Sequence, residues 1–201
     1  LLALGRAECD LTDIAALRGL VRQFKPDVIV NPAAYTAVDK AEREVALATC
    51  INTRVPEVLA EEAERLGALL VHFSTDYVFD GNKQGWYSES DLTNPGNAYG
   101  WSKRDGERLL AARHAEHLIL RTSWVAGVHG VNFAKTMLRL AAERDQLRVV
   151  ADQWGAPTSA ALLADVLAHL IRQWSIARGR FPCGTYHVAA AGETNWCDYA
   201  R

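Results

Sequence analysis

The chain has 201 residues, 49% hydrophobic and 23% charged, which is enough for one large domain, or one and a fraction, with a full core. Its formal net charge of −2 gives no electrostatic ground for nucleic acid or an anionic membrane as partner. No apolar run approaches the ~20 residues that span a bilayer, and no signal peptide is visible.

Elements follow in chain order. Leu1-Leu2-Ala3-Leu4 reads as a strand. Thr12 is the candidate N-cap of a helix in which Leu17, Leu20, Val21 and Phe24 recur at helical spacing, and Pro26 closes it. Asp27-Val28-Ile29-Val30 is a short apolar strand of the kind buried on both faces in a parallel sheet. Helical stretches around 38–50 and 53–66 lead to a second buried strand at 68–73. The turn-rich run Thr93-Asn94-Pro95-Gly96-Asn97 then opens a helix carrying Tyr99, which continues through good helix formers from Lys103 to Ala112. A strand at 117–122, helices at 132–143 and 160–173 and a strand at 184–189 complete the pattern. Strand–helix alternation of this kind predicts an α/β fold built on a doubly wound parallel sheet.

Cys9, Cys50, Cys183 and Cys197 are scattered without a C-x-x-C pair, as expected of reduced thiols in a cytoplasmic protein. The six histidines show no ligand spacing; His114 and His117 read as solvated helix residues, and no metal site is expected. The chain opens in a strand-like run and closes in a helix opening at Asn195-Trp196-Cys197-Asp198-Tyr199-Ala200, so it is expected to be a fragment trimmed at both ends.

Ligands of such a sheet bind beyond the carboxyl ends of its strands. Three ends carry suggestive residues: Asn31-Pro32-Ala33-Ala34-Tyr35-Thr36, whose small side chains admit a flat ligand; Ser74-Thr75-Asp76-Tyr77; and Ser123-Trp124. Each alone reads better as turn and cap chemistry, and the three together favour a site. Tyr99 and Lys103 stand four apart, one above the other on a helix face. A free phenol has a pKa of about 10, and a nearby ammonium lowers it, giving a tunable proton donor for a reacting carbonyl. The bland alternative is a Tyr packed at a helix start and a Lys in solvent.

The chain resembles the extended short-chain dehydrogenase/reductase family and, within it, the dTDP-4-dehydrorhamnose reductases, over essentially its whole length. The pieces are Pro26-Asp27-Val28-Ile29-Val30-Asn31 into Ala33-Ala34-Tyr35-Thr36-Ala37-Val38-Asp39, Ser74-Thr75-Asp76-Tyr77-Val78-Phe79-Asp80-Gly81, and Tyr99-Gly100-Trp101-Ser102-Lys103 with Gly106-Glu107. Downstream come Arg121-Thr122-Ser123-Trp124-Val125, Asn132-Phe133-Ala134-Lys135 and Asp152-Gln153-Trp154-Gly155-Ala156-Pro157-Thr158. The resemblance implies a Rossmann-like NAD(P)-binding domain of 1–126, with 159–190 returning to it, and part of a sugar-nucleotide domain in 127–158 and 191–201. It also implies a Gly-rich phosphate-binding turn before Leu1 and a further part of the sugar domain after Arg201.

The implied reaction is reduction of the C4 keto group of dTDP-4-dehydro-β-L-rhamnose to dTDP-L-rhamnose by NADPH or NADH. Tyr99 would protonate the alkoxide. Lys103 would depress the Tyr99 pKa and bind the nicotinamide ribose, and Thr75 would orient the carbonyl. Ala34, Tyr35, Thr36, Asn52 and Ser74 would line the cofactor, with Asp10 and Leu11 around its adenine, while Asp76 and Trp124 would face the sugar. The run Leu4-Gly5-Arg6 has no acid for a ribose 2′-hydroxyl, so Arg6 leans the choice toward NADPH; the alternative is an Arg6 in solvent. The resemblance allows a homodimer with Mg2+ at its interface. A regulatory subunit of the same fold, like the methionine adenosyltransferase β-subunit, and a nucleotide-sugar epimerase stay open as alternatives.

Overall fold

The computed structural model describes residues 1–201. In chain order the elements are α1 (Ile14–Phe24), β1 (Val28–Asn31), α2 (Val38–Ala41), α3 (Val45–Thr49), a π-helical turn (Cys50–Arg54), α4 (Val55–Leu66) and β2 (Leu69–Thr75). A 3-10 turn (Asp76–Val78), α5 (Ala98–Arg113), β3 (His117–Thr122), β4 (Val125–Ala126), α6 (Phe133–Glu143) and β5 (Trp154–Gly155) follow. β6 (Thr158–Ser159), α7 (Ala160–Ile176), β7 (Gly184–His187), β8 (Thr194–Asn195) and α8 (Trp196–Tyr199) close the chain. Contacts divide it into two compact units, Leu1–Arg121 with Pro182–His187, and Thr122–Phe181 with Val188–Arg201. α7 belongs to the second unit.

The first unit is built on a sheet of order β1-β2-β3-β7, with β1–β2 and β3–β7 parallel. The α/β class with a parallel sheet is as the alternation of elements predicts. One layer of helices covers Ile29, Leu70 and Ile119: Leu17 and Val21 of α1, Val55, Val58, Leu59, Ala60 and Ala63 of α4, and Leu110 of α5. Each large apolar side chain so buried stabilises by about 1.5–3 kcal/mol, which makes this layer the anchor for α5. Glu62 is buried beside it and stays ionised because Arg18 and Arg22 hydrogen-bond its carboxylate at 2.6 and 2.8 Å. Chiefly the Arg22 bond brings its pKa down to about 2.

Several expectations need correction. Residues 1–4 form no strand: nothing in the sheet pairs with them, and Leu1, Leu2 and Leu4 are exposed. A turn follows, in which Cys9 N–H donates to Gly5 O at 3.0 Å. Asp13, not Thr12, caps α1, accepting from Ala16 N–H at 2.9 Å, because the Thr12 hydroxyl is engaged with Asp10. β1 lies at the edge of the sheet with Val30 exposed, so burial on both faces holds for β2 and β3 and fails for β1. The 38–50 stretch is interrupted at 42–44, and the strand from Gly184 ends at His187.

In the second unit β4 pairs parallel with β6, and β5 antiparallel with β8. Asn132 caps α6 through Lys135 N–H, and Ser159 caps α7 through Leu162 N–H. No helix is long and apolar enough to cross a membrane.

Candidate active site

The first unit gathers its polar residues where β1 and β2 end. Asn97 opens α5 by accepting from Gly100 N–H at 2.8 Å, which places Tyr99 in the first turn and Lys103 one turn on. Gly100 lets the helix approach the preceding turn: a Cβ there would stand 2.2 Å from the backbone oxygen of Tyr77. Gly106 does the same against the π-helical turn, where a Cβ would meet Asn52 O at 2.1 Å. These two contacts fix the depth at which α5 lies, and with it the positions of the phenol and the amine.

Tyr99 and Lys103 are both buried. The Thr75 hydroxyl bonds the Tyr99 side chain, and Tyr77 packs edge-on at 5.6 Å between ring centroids. The Thr75 hydroxyl also donates to Asp76 Oδ1 at 3.0 Å and accepts from Tyr77 N–H at 3.2 Å. The structure therefore brings together Thr75, Asp76, Tyr99 and Lys103, as the sequence pattern expects. Burial pushes the Asp76 carboxyl up to about 6.

In the structure the Tyr99 phenol is shifted upward, with no contribution from Lys103 among the causes. Burial, reinforced by Asp76 and Tyr77 and opposed by the Thr75 hydrogen bond, pushes the phenol up to about 12. Burial, partly offset by Glu107, brings the Lys103 amine down to about 7. Its Nζ lies 2.6 Å from Phe73 O and 3.0 Å from His72 Nε2. His72 went unnoticed in the sequence, although a histidine inside the apolar run Leu69-Leu70-Val71-His72-Phe73 is itself a signal.

Asn52 braces the loop after β1. Fully buried, it accepts from Tyr35 N–H at 2.8 Å and donates to Tyr35 O at 2.9 Å and Ser102 Oγ at 3.0 Å. These three bonds tie the loop after β1 to α5. Ala34 and Tyr35 are half-buried on that loop and Thr36 is exposed. The Tyr35 hydroxyl donates to Glu44 at 2.6 Å, which raises its pKa to about 12. Ser74, next to last in β2, has a buried hydroxyl with no partner. Such an orphan at a strand's carboxyl end fits a polar atom of a bound nucleotide cofactor. Arg6 and Asp10 are exposed and Leu11 packs on the α1 core; no hydrogen bond joins them to the Tyr99 group. No cluster of His, Cys, Asp or Glu could hold a metal ion.

In the second unit Trp124 is half-buried with φ of 45°, a left-handed backbone unusual for a bulky residue. Its indole stacks on Trp196 at 3.5 Å between centroids, with Phe133 and Tyr199 completing an aromatic group. A Cβ on Gly155 would lie 2.6 Å from its ring. Trp124 is neither a free wall nor a sealed core residue; one side is committed to Trp196.

A parallel α/β sheet with a Tyr-x-x-x-Lys helix beside a Ser-Thr strand end defines the short-chain dehydrogenase/reductase class. Within that class, the chain belongs to the family described as RmlD substrate binding domain, whose model matches residues 1–201. It is 48% identical over 199 residues to the dTDP-4-dehydrorhamnose reductase of Burkholderia thailandensis, covering 98% of this chain and 67% of that one. To the enzyme of that name from Escherichia coli K12 it is 50% identical over 192 residues, 95% of this chain and 63% of the relative. A crystal structure of dTDP-4-dehydrorhamnose reductase from Bacillus anthracis in complex with NADP superposes with a TM-score of 0.90 at 40% identity, covering 98% of this chain and 68% of that one. The chain thus spans about two thirds of the length of the relatives it matches.

Proposed function

We propose that the protein uses NADPH to reduce the C4 keto group of dTDP-4-dehydro-β-L-rhamnose, giving dTDP-L-rhamnose. The observation that carries this reading is the Thr75–Tyr99–Lys103 grouping beside the unpartnered Ser74 hydroxyl. Bound, the dihydronicotinamide would supply hydride to the carbonyl carbon. Ser74, Tyr99, Lys103 and the backbone of Ala34, Tyr35 and Thr36 would hold it, with Arg6, Asp10 and Leu11 toward its adenosine end.

The chain's own residues do the rest. Tyr99, with its pKa near 12, keeps its proton throughout the neutral range and presents it to the oxygen on which charge develops. Thr75 lies against that phenol and orients the same oxygen. Lys103, at about 7, shares its proton with its surroundings near neutrality and returns charge to the site when a polar ligand accepts from it. Asp76, beside Thr75, would face the sugar. Within the second unit, the Trp124–Trp196 stack is a flat apolar surface of the kind on which a deoxysugar ring packs. Both substrates and the four free thiols suit the cytoplasm.

The deciding experiment incubates the purified protein with the 4-keto sugar nucleotide and NADPH. Cofactor oxidation with stoichiometric dTDP-L-rhamnose supports the reading. Label exchange into the sugar without net reduction would mark an epimerase, and cofactor binding without either reaction would mark a regulatory subunit.

A further inference from the structure

We propose that His72 is a positioning residue for Lys103, gripping Nζ through the ring Nε2 while Asn31 fixes the far side of the ring. The inference rests on the functional reading above but is carried by a buried contact that reading does not use. On β2, side chains alternate between faces, so His72 shares a face with Leu70, which packs against α4 and α5. At that position an aliphatic residue would continue the core. The imidazole is instead 0% exposed, and a buried polar ring is costly unless its nitrogens are hydrogen-bonded.

Both nitrogens are engaged. Asn31 is the register partner of His72 across β1–β2, and the ring bonds its backbone on the Nδ1 side, an interaction that favours a proton there. An amide nitrogen only donates, so the 3.1 Å approach of Asn31 Nδ2 to a protonated Nδ1 is a packing contact and not a hydrogen bond. With its proton on Nδ1, the ring turns the Nε2 lone pair to Nζ at 3.0 Å. Lys103 then has two fixed acceptors, Nε2 and Phe73 O, for its three N–H bonds, and the third is aimed by the other two. Without His72 the flexible lysine stem would be held by one carbonyl.

The charged group that acts on the pair from outside it is Glu107 on α5, itself bound by Arg121 of β3 at 2.6 Å; Tyr99, one turn back on α5, is acted on by Asp76 and Tyr77 of the turn after β2. Burial, then the Lys103 charge, holds the His72 imidazolium well below its ordinary range, so the ring stays neutral while Lys103 titrates. Loss of the Nε2 acceptor removes a bond that favours the ammonium, and Lys103 loses its proton at lower pH.

The test titrates the Lys103 13Cε resonance by NMR in the cofactor-free protein and in His72→Gln, His72→Asn and His72→Leu, with kcat measured alongside. Gln carries an acceptor at the reach of Nε2, whereas Asn reaches only Nδ1. The expected result is a titration near wild type in His72→Gln, and one displaced downward by about one pH unit in His72→Asn and His72→Leu, with kcat about tenfold lower. Wild-type titration and kcat in His72→Leu overturn the proposal. Should His72→Leu fail to fold, equal behaviour of folded His72→Gln and His72→Asn overturns it instead. Absence of any reductase activity in the wild type sinks the functional reading, while the NMR titration still decides this one.

Discussion

Gly155 and Trp124 are in a contact that leaves no room for a methyl group: a Cβ on Gly155 would lie 2.6 Å from Cε2 of the indole. The backbone of Gly155 is not in the left-handed region, so the conflict is one of space alone. Trp124 cannot easily retreat, being strained at φ 45° and stacked on Trp196 at 3.5 Å. Gly155→Ala should therefore destabilise by about 1–3 kcal/mol through overpacking, lowering Tm by several degrees. Near-UV circular dichroism of the Trp124–Trp196 stack should change with it. An unaltered spectrum and melting curve would show that the stack yields without strain.

Tyr99→Phe should abolish reduction and leave NADPH affinity within a few-fold. The hydroxyl serves proton transfer and contributes little to ground-state binding, while the ring keeps its edge contact with Tyr77 at 5.6 Å. Saturation kinetics beside a fluorescence titration of NADPH separate the two quantities. Turnover close to wild type would remove Tyr99 as the acid.

Parts of this architecture were legible because they depend on local pattern. The continuous apolar runs gave β2 and β3, and Asn97 with the four-residue spacing gave α5 and its Tyr99–Lys103 face. What the sequence concealed depends on burial and on partners. Leu1 to Leu4 has strand composition but no strand beside it, and Val30 is exposed only because β1 is an edge. The direction of the Tyr99 shift follows from desolvation, which residue spacing does not report. The hydrogen bonds of Asn52 to Tyr35 and Ser102 join residues 17 and 50 positions apart, which the sequence does not show. Gly100, Gly106 and Gly155 look like ordinary helix or loop glycines, although each marks a backbone or ring in close approach.

Arg6→Asp should shift the ratio of kcat/KM for the two cofactors toward NADH by at least about tenfold, since an acid repels a 2′-phosphate and accepts from a 2′-hydroxyl. Arg6 is exposed on the turn that Glu8 closes by accepting from Gly5 N–H at 2.8 Å, so the exchange should leave stability nearly unchanged. An unchanged ratio would place the choice of cofactor elsewhere in the protein.

Asp76→Asn should stabilise the protein at neutral pH. Burial raises the carboxyl to about 6 in the folded state, against about 3.9 in an unfolded chain. Between those values the folded state binds more protons than the unfolded one, so stability falls as pH rises through the window, and the full cost is present above pH 6. The cost is about 2 kcal/mol once partial solvent exposure is allowed for. Asn removes the ionisation yet keeps an oxygen to accept from the Thr75 hydroxyl, which now donates to Asp76 at 3.0 Å. Thermal melts from pH 3 to pH 8 should thus show the variant about 4–8 °C more stable than wild type at pH 7, with the two curves converging near pH 4. Activity should fall in the same variant, because a site that retains a costly buried carboxylate beside Thr75 and Tyr99 is consistent with a role for it toward the sugar. Parallel melting curves across the whole pH range would show that Asp76 titrates as an ordinary surface carboxylate and would remove it from the candidate sugar contacts.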